Sequence, residues 1–316
     1  MLLLDQLNSL KNSGADSVRI ASFLLSQKDV FEVSQDKKYP SLFIITPYKD
    51  SNPEDYNFKD LVLSIYDGDS GARVHVESIG LPRTGLHNKV SRSTYSIVEK
   101  IDGDLVAVWY SQSYAQWMYR VDGEINPSSE VYMGQAVTWN DFVVHYILNR
   151  FPSDKDIRKL IWDSAGGTAF GGLIDLLIGA LPGTPQAEAL KYLNKTFFFQ
   201  ACSRQNTKIV PQKSSKVYLI NIRDNHGSRE CYCLKYLGEF CQGKAWHIAD
   251  SFRLKAGLKQ LVGVYLYCKA SQLRKGFLIV DEVSGLPIRS ITTDWYRREV
   301  KLGKLFFSAL RNFTPS

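Results

Sequence analysis

The sequence predicts an α+β protein in three parts: an antiparallel β-rich N-terminal domain, a central helical segment, and a second antiparallel β domain closed by a C-terminal amphipathic helix. Two changes in hydrophobic period predict this order. Apolar and polar residues alternate from Leu61 to about Tyr132, the period becomes helical near Trp139, and alternation returns after roughly Asn206. We therefore expect a domain at 1–138 with two N-terminal helices, a helical connection at 139–205, and a basic α+β domain at 206–316.

The first part opens with two short helices and continues as strands. Apolar residues spaced as on a helix predict one over 2–12, and Asp16 is expected to cap a second that runs to about Gln27. Asp-Gly pairs between alternating runs are typical of hairpins. They predict one hairpin in LVLSIYDGDSGARVHVESIG and another in STYSIVEKIDGDLVAVWYSQ, with its turn at residues 102–104.

The centre is predicted to be helical. WNDFVVHYILNRF is expected to begin at a cap formed by Asn140 or Asp141, and DKDIRKLIWDSAG follows as a second helix. The same interpretation extends through the glycine-rich stretch 165–181 and through PQAEALKYLNKTFFFQA. Asp175 would be costly in lipid, so we expect the glycine-rich stretch to be a buried helix and not a membrane span.

Strands return in the last part, which ends in a helix. GFLIVDEVSGLPIRSI predicts a hairpin, and Asp294 is expected to cap the final helix. At 100° per residue, Trp295, Leu302 and Phe306 fall on one side of that helix. The opposite side carries positive charge, so we expect an apolar face that packs and a basic face that is exposed.

Charge is divided along the chain. Residues 1–150 hold 14 Lys and Arg against 19 Asp and Glu, whereas residues 191–316 hold 22 against 8. A strongly basic segment indicates an anionic partner, which is a nucleic acid, an anionic membrane or an acidic protein surface. The acidic first half of the same chain is a further alternative partner for it.

Cysteine use and the N-terminal residues indicate a compartment. Five cysteines are few for this length and odd in number, which argues against a disulfide framework. The opening MLLLDQLNSLK lacks the basic start of a signal peptide. We expect a cytoplasmic protein without a signal peptide or a membrane span.

Cysteines and histidines near the middle of the last third offer a possible metal site. Cys231 and Cys233 share one strand face, and Cys241, His226 and His247 lie nearby in the sequence, so four of these could ligate zinc. The one-residue gap between the first two cysteines is unlike the usual ligand spacing, and buried strand cysteines explain the pair more simply. We predict no metal and no cofactor, with zinc left open as the alternative.

A metal-dependent hydrolase was the third hypothesis for function. Its candidate acid and base groups would be Asp224, His226, His247 and Asp250, and Asp281 and Glu282 add two more carboxyl groups. No spacing among them matches a known nuclease core, and no phosphate-binding glycine loop is present. We therefore assign no catalytic residue.

The leading prediction is a non-enzymatic nucleic-acid-binding protein or a subunit of a nucleoprotein assembly. RNA or single-stranded DNA would contact the interleaved basic and aromatic residues of the last third. The alternative is a protein-interaction or structural subunit whose basic face meets an acidic protein or an anionic membrane. The residues predicted to contact phosphates are Arg297, Arg298, Lys301, Lys304 and Arg311, followed by Lys213, Lys216 and Arg223.

Overall fold

The computed structural model describes residues 2–48, 58–81, 95–100, 102–129, 138–164, 192–202, 216–225, 254–256, 269–271, 274–281 and 287–302. These residues form antiparallel sheets with few helices, which confirms the predicted α+β class. The chain divides into two compact units, each built from three segments. The first holds Met1–Arg83, Val106–Phe199 and Asn221–Cys231, and the second holds Thr84–Leu105, Gln200–Ile220 and Tyr232–Ser316. The boundaries at 138 and 205 stay a prediction.

The first unit begins as predicted, with α1 (Leu2–Asn12) and α2 (Ser17–Ser26). The carboxylate of Asp16 caps α2 by accepting from the Arg19 amide. A four-stranded antiparallel sheet follows, with strands β1 (Phe31–Gln35), β2 (Leu42–Pro47), β3 (Leu61–Gly68) and β4 (Gly71–Ile79) in sequence order. Leu7 and Leu24 of the helices are fully buried with Phe43 and Leu63 of this sheet.

A five-stranded sheet has the order β10-β9-β6-β7-β8. Its strands are β6 (Asp104–Ser111), β7 (Gln116–Val121), β8 (Glu124–Ile125), β9 (Lys195–Cys202) and β10 (Lys216–Asp224). The prediction that KTFFFQA is helical is wrong, because these residues form β9. Three consecutive phenylalanines, 197–199, are completely buried there. A central strand covered on both faces produces such an unbroken apolar run, and periodicity alone does not separate it from a buried helix.

Between β8 and β9 the described residues form α3 (Trp139–Tyr146) and α4 (Asp154–Ser164), with a short 3₁₀ turn at Leu148–Arg150 between them. The predicted cap of α3 is two or three residues too late. Thr138 is the N-cap, and its hydroxyl and the Asp141 carboxylate form a reciprocal capping box. The glycine-rich stretch 165–181 lies outside the described residues. No helix in the described part of the chain is long and apolar enough to cross a membrane.

The second unit contains an antiparallel sheet of order β11-β5-β12-β13. Its strands are β5 (Tyr95–Lys100), β11 (Leu254–Ala256), β12 (Gly276–Asp281) and β13 (Pro287–Thr292). The predicted hairpin of β12 and β13 is confirmed. The predicted hairpin of β5 and β6 is wrong, because β5 pairs with β11 and β12 whereas β6 belongs to the five-stranded sheet. Residues 102–103 therefore lead from one sheet to another.

The final helix, α5, follows β13 directly and is described over 294–302. Its cap is Thr293 and not Asp294, because the Thr293 hydroxyl accepts a hydrogen bond from the Tyr296 amide at 3.1 Å. Leu302, predicted on the packed side, is 52% exposed. The hydrogen bond between the Tyr296 side chain and Asp102 shows that another side of α5 makes the contact.

Candidate active site

One face of the β5-β12-β13 sheet is core, and the opposite face carries a lysine. Ile97, Phe277 and Ile291 are nearly or completely buried. Side chains alternate along a strand, so Lys100 and Ser290 lie on the face opposite to these three. Both are half-buried. This second face therefore presents the Lys100 amine, which is partly accessible to solvent.

Lys100 reaches across one strand to its hydrogen-bond partner. Lys100 pairs with Gly276 of β12, and Gly276 pairs with Thr292 of β13. The Lys100 Nζ donates to the Ser290 Oγ at 3.3 Å. Because residue 276 is a glycine, no side chain of β12 at this position separates Lys100 from β13. A Cβ at this position would collide with the backbone carbonyl oxygen of Ile291, so the chain requires glycine there.

Asp102, two residues after Lys100, is a buried carboxylate with two donors. Its side chain is 1% exposed, and its Oδ1 accepts from the Lys275 Nζ at 2.9 Å and from the Tyr296 hydroxyl at 3.1 Å. A buried charge is stable only when it is paired and hydrogen-bonded. The ammonium group of Lys275 also lies 5.7 Å from the centre of the Tyr296 ring, within cation–π range.

The Tyr296 hydroxyl acts as a donor in this cluster. Burial, followed by the charge of Asp102 and the hydrogen bond to it, raises the pKa of Tyr296 to about 12. The phenol therefore keeps its proton at neutral pH and donates it to the carboxylate. We give one name, the Lys100–Asp102 cluster, to two sets of contacts at the end of β5: Lys100 with Ser290, and Asp102 with Lys275 and Tyr296.

Neighbouring polar contacts hold the backbone around the cluster. The Gln200 side-chain amide donates to the Gly103 carbonyl, next to Asp102. Thr293, which is fully buried, donates through its hydroxyl to the Arg274 carbonyl at 2.6 Å while it caps α5. Thr293 thus ties the residue before Lys275 to the helix that carries Tyr296. The Thr293 hydroxyl therefore contacts the backbone next to Lys275 and the backbone of Tyr296.

The predicted phosphate contacts fall into three groups. Arg297, Arg298 and Lys301 are exposed on α5. Lys304, Arg311, Lys213 and the Lys216 side chain lie outside the described residues, although Lys216 begins β10. Arg223 is 5% exposed, and its guanidinium donates to the Gly80 carbonyl. Arg223 therefore makes a buried contact inside the first unit.

The other predicted chemical groups do not form a described site. Asp224 is half-buried at the end of β10. The candidate ligands His226, Cys231, Cys233, Cys241 and His247, together with Asp250, Glu282 and the Asp281 side chain, lie outside the described residues. Within the part of the chain that the structure describes, no three His, Cys, Asp or Glu side chains come together in a way that could hold a metal ion.

Sequence reasoning missed the Lys100–Asp102 cluster. It interpreted residues 102–104 as a hairpin turn, in which aspartates bond local backbone. The partners of Lys100 and Asp102 lie 173 to 194 residues away, so no spacing pattern connects them. One usable signal is the charged segment EKIDGD at residues 99–104, which separates two apolar runs and in which a lysine needs a partner if it is buried.

Comparison with known proteins identifies the fold. No family model matches the sequence, and no curated protein matches it either. Among solved structures, an archaeal ATP-dependent RNA ligase superposes with a TM-score of 0.50 at 12% identity, over 92% of this chain and 68% of that one. A second form of that ligase gives 0.46 at 11%, over 88% of this chain and 62% of that one.

A Naegleria gruberi RNA ligase variant with ATP and Mn gives a TM-score of 0.40 at 7% identity, over 86% of this chain and 96% of that chain. Identities this low establish likeness of fold only. The first archaeal match therefore assigns this chain the fold of an ATP-dependent RNA ligase, which is the fold of an enzyme.

This finding corrects the function predicted from sequence. The non-enzymatic nucleic-acid-binding protein, its interaction or structural alternative, and the metal-dependent hydrolase were all inferred without a view of the fold. The fold is instead shared with an enzyme that works with ATP and RNA. The physical reason for the error is that the fold depends on pairing between segments far apart in the chain, which local sequence pattern does not show.

Proposed function

We propose that this chain is an ATP-dependent RNA ligase-type enzyme in which the amine of Lys100 takes up the nucleotide. The observation that carries the proposal is the Lys100–Asp102 cluster: the Lys100 amine, on the outer face of a sheet, bonds to Ser290, and two residues further along the chain the buried Asp102 carboxylate is paired with Lys275. The ligase fold supports the choice of ATP and RNA as reactants. A lysine amine is among the side chains that enzymes use as covalent nucleophiles.

The charge of the cluster suits a nucleotide phosphate. While Lys100 is still protonated, Lys100 and Lys275 carry positive charge, Asp102 carries negative charge and Tyr296 is neutral, so these described groups leave an excess of one cation for ATP to bind before the amine loses its proton. Phosphates bind where ammonium groups and hydroxyl donors converge. Ser290 holds the Lys100 amine at 3.3 Å and so restricts where the nucleophile lies.

The proposed covalent step balances as follows. The lone pair of the deprotonated Lys100 Nζ attacks the α-phosphorus of ATP, a nitrogen–phosphorus bond forms, and the bond from that phosphorus to the bridging β-phosphate oxygen breaks. Pyrophosphate leaves with the electron pair, and the proton lost by the amine goes to solvent. Lys275 stabilises the negative charge that develops on the phosphate oxygens.

RNA is proposed to contact the exposed basic side of α5. At 100° per residue, Arg297, Lys301 and Arg298 fall within an arc of about 100° that faces away from Tyr296. Lysine and arginine neutralise RNA phosphates. Charge alone supports four further proposed contacts, namely Lys304, Arg311, Lys213 and Lys216. Arg223 is not a proposed contact, because its side chain is buried.

A cytoplasmic location and membership in a complex that contains RNA are also part of the proposal. The sparse, odd cysteine count supports a reducing cytoplasm. The exposed basic side of α5 supports a place in a complex that contains RNA.

The test is covalent labelling with ATP labelled at the α-phosphate. We expect the wild-type protein to gain one AMP by intact mass spectrometry, and peptide mapping to place it on Lys100. Lys100→Ala and Lys100→Arg should abolish the adduct, because neither side chain offers a nucleophilic amine. Lys155→Ala removes an exposed lysine of α4 and should label as wild type does. An unlabelled wild-type protein, or an adduct that survives Lys100→Ala, would refute the proposal.

A further inference from the structure

We infer that the ammonium group of Lys275 occupies the cation position beside Asp102, so that this site binds nucleotide phosphates without a divalent metal ion on that carboxylate. The inference rests on the proposed function for the identity of the ligand. Phosphoryl and nucleotidyl transfer commonly use a divalent ion to neutralise phosphate charge. Whether the residues of this cluster fit such an ion is decided by their charges and hydrogen bonds.

The residues do not fit a divalent ion. Mg²⁺ and Mn²⁺ require oxygen ligands with available lone pairs, and carboxylates supply the charge that holds them. Asp102 Oδ1 already accepts from Lys275 and from the Tyr296 hydroxyl. An ion at that oxygen would displace both donors and face an ammonium group a few ångströms away. No three potential metal ligands meet among the described side chains.

Lys275 is built into its position. Its side chain is 25% exposed, its Nζ lies 2.9 Å from Asp102, and its ammonium stacks on the ring of Tyr296. The preceding residue is tied to Thr293. An ammonium held in this way is a preorganised positive charge. A divalent ion supplies the same kind of charge when it neutralises a phosphate. Lys275 is thus a positioning and charge-neutralising residue for the phosphates.

The first experiment measures metal uptake without any nucleotide. Free Mn²⁺ is followed by electron paramagnetic resonance during titration of the full chain. We expect the wild type and Asp102→Asn to take up the same amount, because Asp102 holds no ion. Lys275→Glu should gain one Mn²⁺ per chain, because it replaces the ammonium with a second carboxylate. Lys269→Glu reverses a partly exposed lysine in the same unit, one that pairs with Asp294 at 3.9 Å, and serves as the matched control.

The second experiment measures ATP binding by calorimetry in excess EDTA. Wild-type protein should bind ATP under these conditions, and Lys275→Gln should bind about tenfold or more weakly because one phosphate-facing cation is lost. Lys275→Arg should retain most of the affinity, and Lys269→Gln should match the wild type. Thermal unfolding of each variant confirms that the comparison is between folded proteins.

The outcomes separate this inference from the proposed function. Mn²⁺ uptake by the wild type that Asp102→Asn removes would overturn the inference, as would an absence of ATP binding in EDTA. Neither result depends on the labelling of Lys100. Conversely, metal-independent ATP binding that depends on Lys275, with no AMP on Lys100, would sustain the inference and refute the covalent step.

Discussion

At Asp102, an Asp-Gly pair of the kind that forms hairpin turns carries a carboxylate whose side chain is 1% exposed. An exposed turn aspartate accepts hydrogen bonds from nearby backbone amides, whereas Asp102 accepts from two side chains of the second unit. The cost of burying the charge is offset by these donors. A change at a single donor should therefore be measurable in the stability of the protein.

Tyr296→Phe removes one of the two donors and should lower the free energy of unfolding by about 1–2 kcal/mol, because a hydrogen bond to a buried carboxylate is lost. Urea unfolding followed by tryptophan fluorescence measures the change. Tyr110→Phe is the matched control. The buried hydroxyl of Tyr110 has no hydrogen-bond partner in the described structure, so its removal should not lower the free energy of unfolding and should raise it by up to about 1–3 kcal/mol. Equal losses in the two variants would contradict the assignment.

Among the elements, β5 and β9 show why local pattern misled. The sequence pattern predicts that β5 and β6 form one hairpin. In the structure β5 pairs with β12 through six residue pairs, and β6 pairs with β7. The sequence pattern predicts that the residues of β9 continue a helical stretch. In the structure their three phenylalanines are buried in a non-edge strand of a sheet. In both cases the pairing partner, which lies far away or in another element, decided the structure.

The helix α5 is the element on which RNA binding depends in our proposal. Replacing Arg297, Arg298 and Lys301 together with Gln should weaken binding to a single-stranded RNA, with a smaller slope of log affinity against log salt concentration, because fewer counterions are released. Fluorescence anisotropy at several salt concentrations measures both quantities.

The control for α5 is the triple change of Lys155, Arg158 and Lys159 to Gln on α4. These three residues are also exposed, and the change removes the same charge from the first unit. We expect it to leave affinity and salt slope close to wild type. An equal loss in the two triple variants would show that net charge, and not α5, governs binding.

Across the whole molecule, tyrosines with raised pKa values lie in both units. Burial is the main cause for Tyr110, Tyr119 and Tyr296, and it raises the pKa of Tyr110 and of Tyr296 to about 12. Charge from Asp154 adds to the effect at Tyr110, and charge from Asp102 adds to it at Tyr296. The folded protein therefore holds these phenol protons more tightly than the unfolded chain does.

This difference predicts alkaline destabilisation. Because the folded pKa values are raised, the stabilisation is fully present below the pKa of an unfolded tyrosine, about 10, and is lost as the pH rises from there toward 12. Urea unfolding at a series of pH values should show a falling free energy over that window. The double variant Tyr110→Phe, Tyr296→Phe should show a shallower fall. Titration of every tyrosine near pH 10 in the folded protein, read by ultraviolet absorbance, would contradict the prediction.

The sequence by itself determined the antiparallel α+β class, the two N-terminal helices, the cap at Asp16 and the hairpins of β3 with β4 and of β12 with β13. These features follow from contacts between residues close together in the chain, where hydrophobic period and turn chemistry act directly. It also located the three exposed cations at the start of α5, whose role as phosphate contacts stays a prediction.

Only the tertiary structure decided which strands pair around residues 100–104 and what surrounds Asp102. Lys100 meets Ser290, and Asp102 meets Lys275 and Tyr296, across 173 to 194 residues of chain. The free energy that favours these pairs comes from burying charge with its partners, and this depends on position in space and not on spacing in sequence. The candidate active site is therefore defined by the sheet that brings these segments together, and not by any local sequence pattern.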